Sequence, residues 1–387
     1  MPARIAVGVS DSFDAVAAFS QAAAEARAGL GGARCDLCLV FAGAPHLAHG
    51  KWILSAVHDA LEPGHLIGCG AGGVVGPGRE LEEGPGAVVW AASLPGAALV
   101  THHLRLEEDA GGPSLAGLGD PGELGDTLIV LADPHSFPAD HLLARLNQER
   151  PGMPALGGLA SAAAAGSAAL LRDGDVVDSG AVACSLSGVT VLPCVSQGAS
   201  PVGPEMTITA AEGNVIRELA SAPAVERLRE AVGALDPREQ ALAAGGLMLG
   251  LVIDENQPAY ERGDFLVRPV IGADPDAGSI AIGERPRVGQ TVRMHVRDGA
   301  SADEDLREAL RALVEALGSA DAAGALLFTC NGRGEHMFSV PDHDANAIGG
   351  AIDAPVGGFF CAGEIGPVGG RNFLHGFTAT MALFPAE

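Results

Sequence analysis

The chain has 387 residues, enough for two domains at the usual ~100–200 residues each, and 48% of them are hydrophobic, so substantial cores can be buried. Aromatic residues make up only 4%, so those cores must be built from Val, Ile, Leu and Ala. Lys and Arg number 23 against 48 Asp and Glu, and the net charge of −25 repels polyanions, which argues against a nucleic-acid partner.

Lys51 is the sole lysine. The start, MPARIAVGVSDSFD, lacks a basic region followed by an apolar run and a cleavage site. No uncharged apolar stretch reaches the ~18–20 residues that span a bilayer. The cysteines number seven, an odd count scattered along the chain, unlike a disulfide framework. A cytoplasmic protein with no membrane partner is expected.

In chain order, residues 4–10 read as a short strand and 14–29 as a helix, with Asp11 and Ser12 as candidate N-caps and Gly29, Gly31 and Gly32 as its stop. A pattern of strand, polar loop, helix, Gly-rich strand and further strand then recurs. The first copy has a strand at 37–42, a loop at 43–46, a helix at 49–61, the Gly-rich LIGCGAGG at 66–73 and a strand at 87–93. The second copy has 127–132, the loop 133–135, a helix at 139–148, ALGGLAS at 155–161 and a strand at 180–187. The third has 325–329, a loop holding Asn331-Gly332-Arg333-Gly334, a helix at 343–352, VGGFFCAGEIGP at 356–367 and a strand at 377–384. Between the second and third copies, residues 248–255, 265–273, 279–283 and 291–298 read as a strand meander or hairpin pair. Leu306, Leu310, Leu313, Val314 and Leu317 then form one stripe of an amphipathic helix at 302–317. A domain boundary is expected near 210–213.

Several motifs invite chemistry and do not sustain it. Gly68-x-Gly70-x-x-Gly73 matches a dinucleotide fingerprint, but VVGPGRELEEGPG follows instead of the helix that would hold a pyrophosphate. No Gly-rich loop ends in Lys-Ser or Lys-Thr. Cys35-x-x-Cys38 overlaps a strand start and has no second pair at zinc spacing. His46/His49 and His102/His103 lack an acidic cluster to complete a metal shell. No cofactor and no metal is expected. Cys361 with Glu364 and His375 is the one conceivable thiol nucleophile group, but FFCAG is an apolar setting that disfavours a thiolate.

The densest concentration of unusual residues is 357–375. Its glycines permit sharp turns and close approach to a bound molecule. Glu364 suits an amino group, Arg371 suits a carboxylate in bidentate geometry, and Asn372 and His375 suit oriented hydrogen bonds. The alternative reading pairs Glu364 with Arg371 across a turn. Asn331 and Arg333 stand at the end of a strand, where α/β folds place ligands.

GFFCAGEIGPVGGRNFLHGFTATMALF at 358–384, CNGRG at 330–334 and the Asp342-His343-Asp344 step resemble the FIST domain family of sensory domains. The segment 265–306 is similar to the C-terminal FIST module. LIGCGAGGVVG, 66–96 more broadly, and VVDSGAVACSLSG at 176–188 are similar to the N-terminal one. The resemblance implies ligand sensing, with amino acids or similar small metabolites as ligands, and no catalytic residues. It implies an N-terminal-like domain over 1–212 and a C-terminal-like domain over 213–387. The expected fold class is α/β, with two similar domains of mixed β-sheets flanked by helices and an internal duplication. The expected function is small-ligand sensing in signal transduction with output through a separate signalling protein. A protein-binding adaptor is the alternative, and a Cys/His-dependent hydrolase or transferase the less favoured one.

Overall fold

The computed structural model describes residues 2–109, 112–162 and 169–386. The chain divides into two units: residues 1–195 with 308–387, and residues 196–307.

The first unit is built by a pattern used three times. Each repeat contributes an outer strand, a leading strand, a helix, a trailing strand, a hairpin and a closing strand. In the first repeat these are Arg4–Ser10, Leu37–Gly43, the helix Gly50–Leu61, His65–Ala71, the strands Val74–Gly76 and Arg79–Leu81, and Ala87–Ser93. In the second they are Ala98–Asp109, Thr127–Ala132, the helix Ala139–Glu149, Ala155–Leu159, the strands Leu170–Arg172 and Asp175–Val177, and Ala181–Ser187. In the third they are Leu192–Ser196, Ala322–Cys330, the helix His343–Ile352, Val356–Cys361, the strands Glu364–Val368 and Arg371–His375, and Ala379–Pro385.

The three sheets share one strand order: outer, closing, leading, trailing, then a hairpin. The leading and trailing strands run parallel, as a helical crossover requires, and the closing strand is antiparallel to the leading one. The hairpin at the end of each sheet comes from another repeat. The second repeat's hairpin completes the first sheet, the third's completes the second, and the first's completes the third. The exchange is cyclic, so each sheet is incomplete without a neighbouring repeat.

One glycine marks the register in all three. Gly68 pairs with Leu171, Gly157 with Ile365 and Gly358 with Val75. A Cβ on any of them would lie 2.5, 1.9 or 1.7 Å from the carbonyl oxygen of Val40, Val130 or Leu327 on the leading strand. No other residue fits there, which explains why each copy is Gly-rich at this point.

The inner faces of the three sheets bury a common core that includes Phe41, Ile67 and Trp90, Ile129 and Val182, and Phe328, Phe359 and Phe384. Phe41 stacks on Phe359 at 4.9 Å, and the Trp90 indole donates to Ala325 O at 3.1 Å. Helices cover the outer faces. Ala15–Leu30 and Gly50–Leu61 cover the first sheet, Ala139–Glu149 the second, and His343–Ile352 buries Ala345, Ile348 and Ile352 over the third. The N-cap of the first helix is Asp14, whose side chain accepts from Ala17 N, rather than Asp11 or Ser12, and Gly31 ends it at φ 60°.

The second unit lies in sequence between the third repeat's outer strand and leading strand. Where a simple meander or hairpin pair was expected, six antiparallel strands close into a ring: Ser200–Glu212, Thr291–Val296, Met248–Val252, Phe265–Asp274, Ser279–Ile282 and Val215–Leu219, which pairs back with the first. Closure removes exposed sheet edges. Val202, Ile208, Ile216, Leu251, Ile280 and Met294 fill its core. The expected boundary at 212/213 falls inside the hairpin formed by Ser200–Glu212 and Val215–Leu219, so the compact units do not divide there. The mixed α/β content with sheets flanked by helices is as expected. Among the described residues, no helix is long and apolar enough to cross a membrane.

Candidate functional site

The six residues singled out in the sequence do not form one cluster. In the 364–375 hairpin Glu364 is opposite His375, and Arg371 is opposite Val368. Glu364 and Arg371 therefore stand four strand positions apart, roughly 13 Å at ~3.3 Å per residue. Glu364 is buried and Arg371 exposed, with its guanidinium 5.7 Å from the Phe373 ring. Neither a shared ligand clamp nor the alternative Glu364–Arg371 pair is built.

Asn372 is a structural staple. Its Oδ1 accepts from Ala155 N and its Nδ2 donates to Met153 O, both at 2.8 Å, while its backbone exchanges two 2.8 Å bonds with the Asn147 side chain. A ring nitrogen of buried His375 lies 3.0 Å from Gly366 O. Arg333 is buried in a bidentate pair with Asp344, at 2.7 and 2.8 Å, with the Phe338 ring 5.0 Å from its guanidinium. Asp344 also takes the Thr329 hydroxyl at 2.8 Å and has a His343 ring nitrogen at 2.9 Å. Burial alone would raise the Asp344 carboxyl, but the Arg333 charge and these hydrogen bonds hold it well below the usual carboxylate range. The planar fork of Arg333 is thus committed to holding the start of the His343–Ile352 helix.

Glu364, the one acid of the six, is strongly perturbed. Its Oε2 accepts from Thr378 N at 3.0 Å and Thr378 Oγ1 at 2.8 Å, while Oε1 is buried without a hydrogen-bond partner. Burial pushes it up to about 8, against the lowering effect of Thr378 and the nearby Cys330 thiol. It is therefore a neutral carboxylic acid at pH 7. Glu80 is similar: burial first, then repulsion from Asp344, raises it to about 7, although its Oε1 caps Ala345 N at 2.8 Å.

The thiols show no activation. All seven cysteines are free and buried. Burial raises Cys361 well above its ordinary value, and its Sγ donates to Phe359 O at 3.6 Å. Cys35 likewise donates to Leu37 O. Among the described residues, no group of three or more His, Cys, Asp and Glu is placed to hold a metal ion.

Of the six, Asn331 is the one exposed beside the turns that follow the trailing strands. The turns after the three trailing strands place Gly72, Ser161 and Ala362 at equivalent positions. Ser161 Oγ accepts from Gly72 N at 2.7 Å and donates to Phe360 O, and Ser161 N donates to Gly70 O at 3.2 Å. Asn331 N donates to Cys361 O at 2.9 Å, and a Cβ on Gly72 would lie 3.5 Å from both Asn331 Oδ1 and Ser161 Oγ. Gly72 and Ser161 are half-buried, while Asn331 and Ala362 are exposed. Three repeats thus meet at the carboxyl ends of the parallel strands, tied by the Ser161 hydroxyl, with Asn331 and Ala362 exposed to solvent. Ser161 carried no signal in the sequence beyond its place at the end of ALGGLAS; only alignment of the three copies would have singled it out.

The chain is 45% identical over 384 residues to an uncharacterized protein of Mycobacterium tuberculosis, covering 98% of this chain and 99% of that one. It is 43% identical over 383 residues to an uncharacterized protein of Mycobacterium bovis, covering 98% of each. The FIST N domain matches residues 36–221 and the FIST C domain residues 224–367. FIST domains are associated with sensing in signal transduction. The two matches meet near residue 222, inside the second unit. The chain belongs to the FIST family.

Proposed function

We propose that the chain is a sensory protein that binds a small polar ligand, an amino acid or similar metabolite, and passes the signal to a separate signalling protein in the cytoplasm. The observation that carries this reading is the meeting of Gly72, Ser161 and Asn331 at the carboxyl ends of the parallel strands. α/β folds bind ligands there because the strand ends expose backbone donors and side chains that the sheet itself does not use. Gly72 leaves room for close approach, the Asn331 amide offers a donor and an acceptor, and Ser161 ties two repeats together at the same point. Binding there would tighten the contact between repeats, a natural way to convert occupancy into a signal.

An enzymatic reading lacks its reagents, since Cys361 is a buried, protonated thiol and His375 is engaged with a backbone carbonyl. The test is a thermal-shift screen of amino acids and related metabolites against the intact protein. A ligand at 100 times its Kd adds about 2.7 kcal/mol and raises Tm. N331A should abolish the response to the hit without lowering the Tm of the free protein. Indifference of the wild type to the whole panel, or an N331A protein that responds equally, would refute this site.

A further inference from the structure

The exchanged hairpins make three equivalent junctions. Glu80, which accepts from Ala345 N at 2.8 Å, and Asp342, which accepts from Glu80 N at 2.6 Å, tie the third to its helix. Among the described residues, however, only the first two place a side-chain acceptor on the trailing-strand N–H two residues before the shared glycine. At the first junction the turn residue Asp173 accepts from Leu66 N at 3.0 Å and from the Thr101 hydroxyl at 2.6 Å, and the helix residue His58 places a ring nitrogen 3.0 Å from Asp173 O. At the second, Asn372 accepts from Ala155 N at 2.8 Å, and the helix residue Asn147 bonds the Asn372 backbone. Leu66, Ala155 and Val356 are the same position in the three trailing strands, each two residues before the shared glycine. At both stapled junctions, then, a carboxylate or carboxamide fills the space beside that N–H, and a helix side chain locks it.

At the third junction each of these groups is missing. The inserted hairpin turns at Pro77-Gly78, which carries no side-chain acceptor. His58 and Asn147 lie four and three residues before the C-caps Glu62 and Arg150 of their helices; the corresponding positions before the C-cap Asp353 are Gly349 and Gly350. A Cβ added to either would meet nothing within 4 Å. The outer strand contributes Ile5, Ala6 and Val7 where its counterpart supplies Thr101. What remains is a cavity of ≈ 730 Å3 bordered by Gly78, Gly349, Gly350 and Val356, with Asn346, Glu25 and Asp353 as its polar side chains. That volume is within the ~300–1,000 Å3 of ordinary small-molecule sites.

We propose that this cavity is a binding site for a small molecule bearing a terminal carboxamide, which takes the place beside Val356 that Asp173 and Asn372 occupy at the other two junctions. The end group follows from the two built-in examples. The neutral amide is favoured over a carboxylate because Glu25 and Asp353 border the cavity and would repel an anion, whereas they attract an amine elsewhere on the ligand. The site is independent of the Asn331 turn, and none of the six residues singled out in the sequence borders it.

The test is calorimetric titration of the full chain with L-asparaginamide, L-asparagine and L-aspartate as probes. Binding should weaken in that order, with the first probe at least about tenfold tighter than the last. Gly350→Asn supplies the missing helix side chain and places it at the cavity's border; it should weaken the first probe at least about tenfold. Asn346→Leu, which removes a polar group without touching a buried contact, should also weaken it, while N331A should leave it unchanged. Failure of all three probes to bind below about 10 mM overturns the proposal. So does binding that N331A abolishes and that Gly350→Asn and Asn346→Leu both leave intact, since the ligand would then occupy the strand-end turns.

Discussion

Glu364 gives the sharpest test of the electrostatics. The free carboxyl titrates near 4.5, and in the folded protein burial moves it up to about 8. Between those values the folded protein keeps a proton that the unfolded chain releases, so stability falls as pH rises through the window. Its contribution is complete below pH 4.5 and fully lost above pH 8. At ~1.4 kcal/mol per pH unit the ceiling is on the order of 4–5 kcal/mol, and water entry will reduce it. E364Q keeps the shape and an oxygen for the Thr378 N–H and hydroxyl, but cannot ionise. The variant should therefore match the wild type at pH 4.5 and exceed it at pH 8.5 by about 2–4 kcal/mol, read from urea unfolding at each pH. A stability difference that stays flat with pH, or a Gln variant that is weaker at pH 8.5, would refute the assignment of a buried neutral acid.

Burial pushes His295 in the second unit down to about 4 from 6.5, so stability should fall as pH drops through that window, and H295Q should flatten the pH dependence in a melting series. D344N strands the Arg333 guanidinium in the interior and should cost about 3–5 kcal/mol in chemical unfolding, whereas the double change R333M/D344L should cost less. G358A drives a methyl group to within 1.7 Å of Leu327 O and should leave little soluble protein, while G349A meets open space and should be neutral or stabilising by about 0.5–1 kcal/mol in the same expression and melting assays. Native protein should resist thiol reagents at pH 8, because burial lifts Cys330 to about 11 and Cys184 to about 12, and all seven cysteines should react at once on unfolding.

Much of the architecture was legible from residue patterns. The three-fold recurrence of strand, helix and Gly-rich strand is a local signal, set by side-chain period and by a glycine that each trailing strand needs against its neighbour's carbonyl. The amphipathic helix around Leu306–Leu317 and the strands of the second unit were readable for the same reason. The ring closure was not, because the pairing of Ser200–Glu212 with Val215–Leu219 completes a circuit whose paired residues include Ser200 and Val296, far apart in the chain.

The candidate site was harder to read. Glu364, Arg371, Asn372 and His375 are neighbours in sequence, but a hairpin sends alternate residues to opposite faces and separates its two ends, so adjacency did not become convergence. Arg333 carries the right group for a ligand, yet Asp344, eleven residues on, folds back and consumes it. The sequence by itself determined the elements, the small-residue cores and the threefold repeat, because these depend on neighbours along the chain. Tertiary structure alone decided which repeat lends its hairpin to which sheet, which polar groups are neutralised by burial, and where a staple is missing. Those outcomes depend on contacts between residues distant in sequence, such as Leu171 with Gly68 and Gly358 with Val75, whose energies no local pattern records.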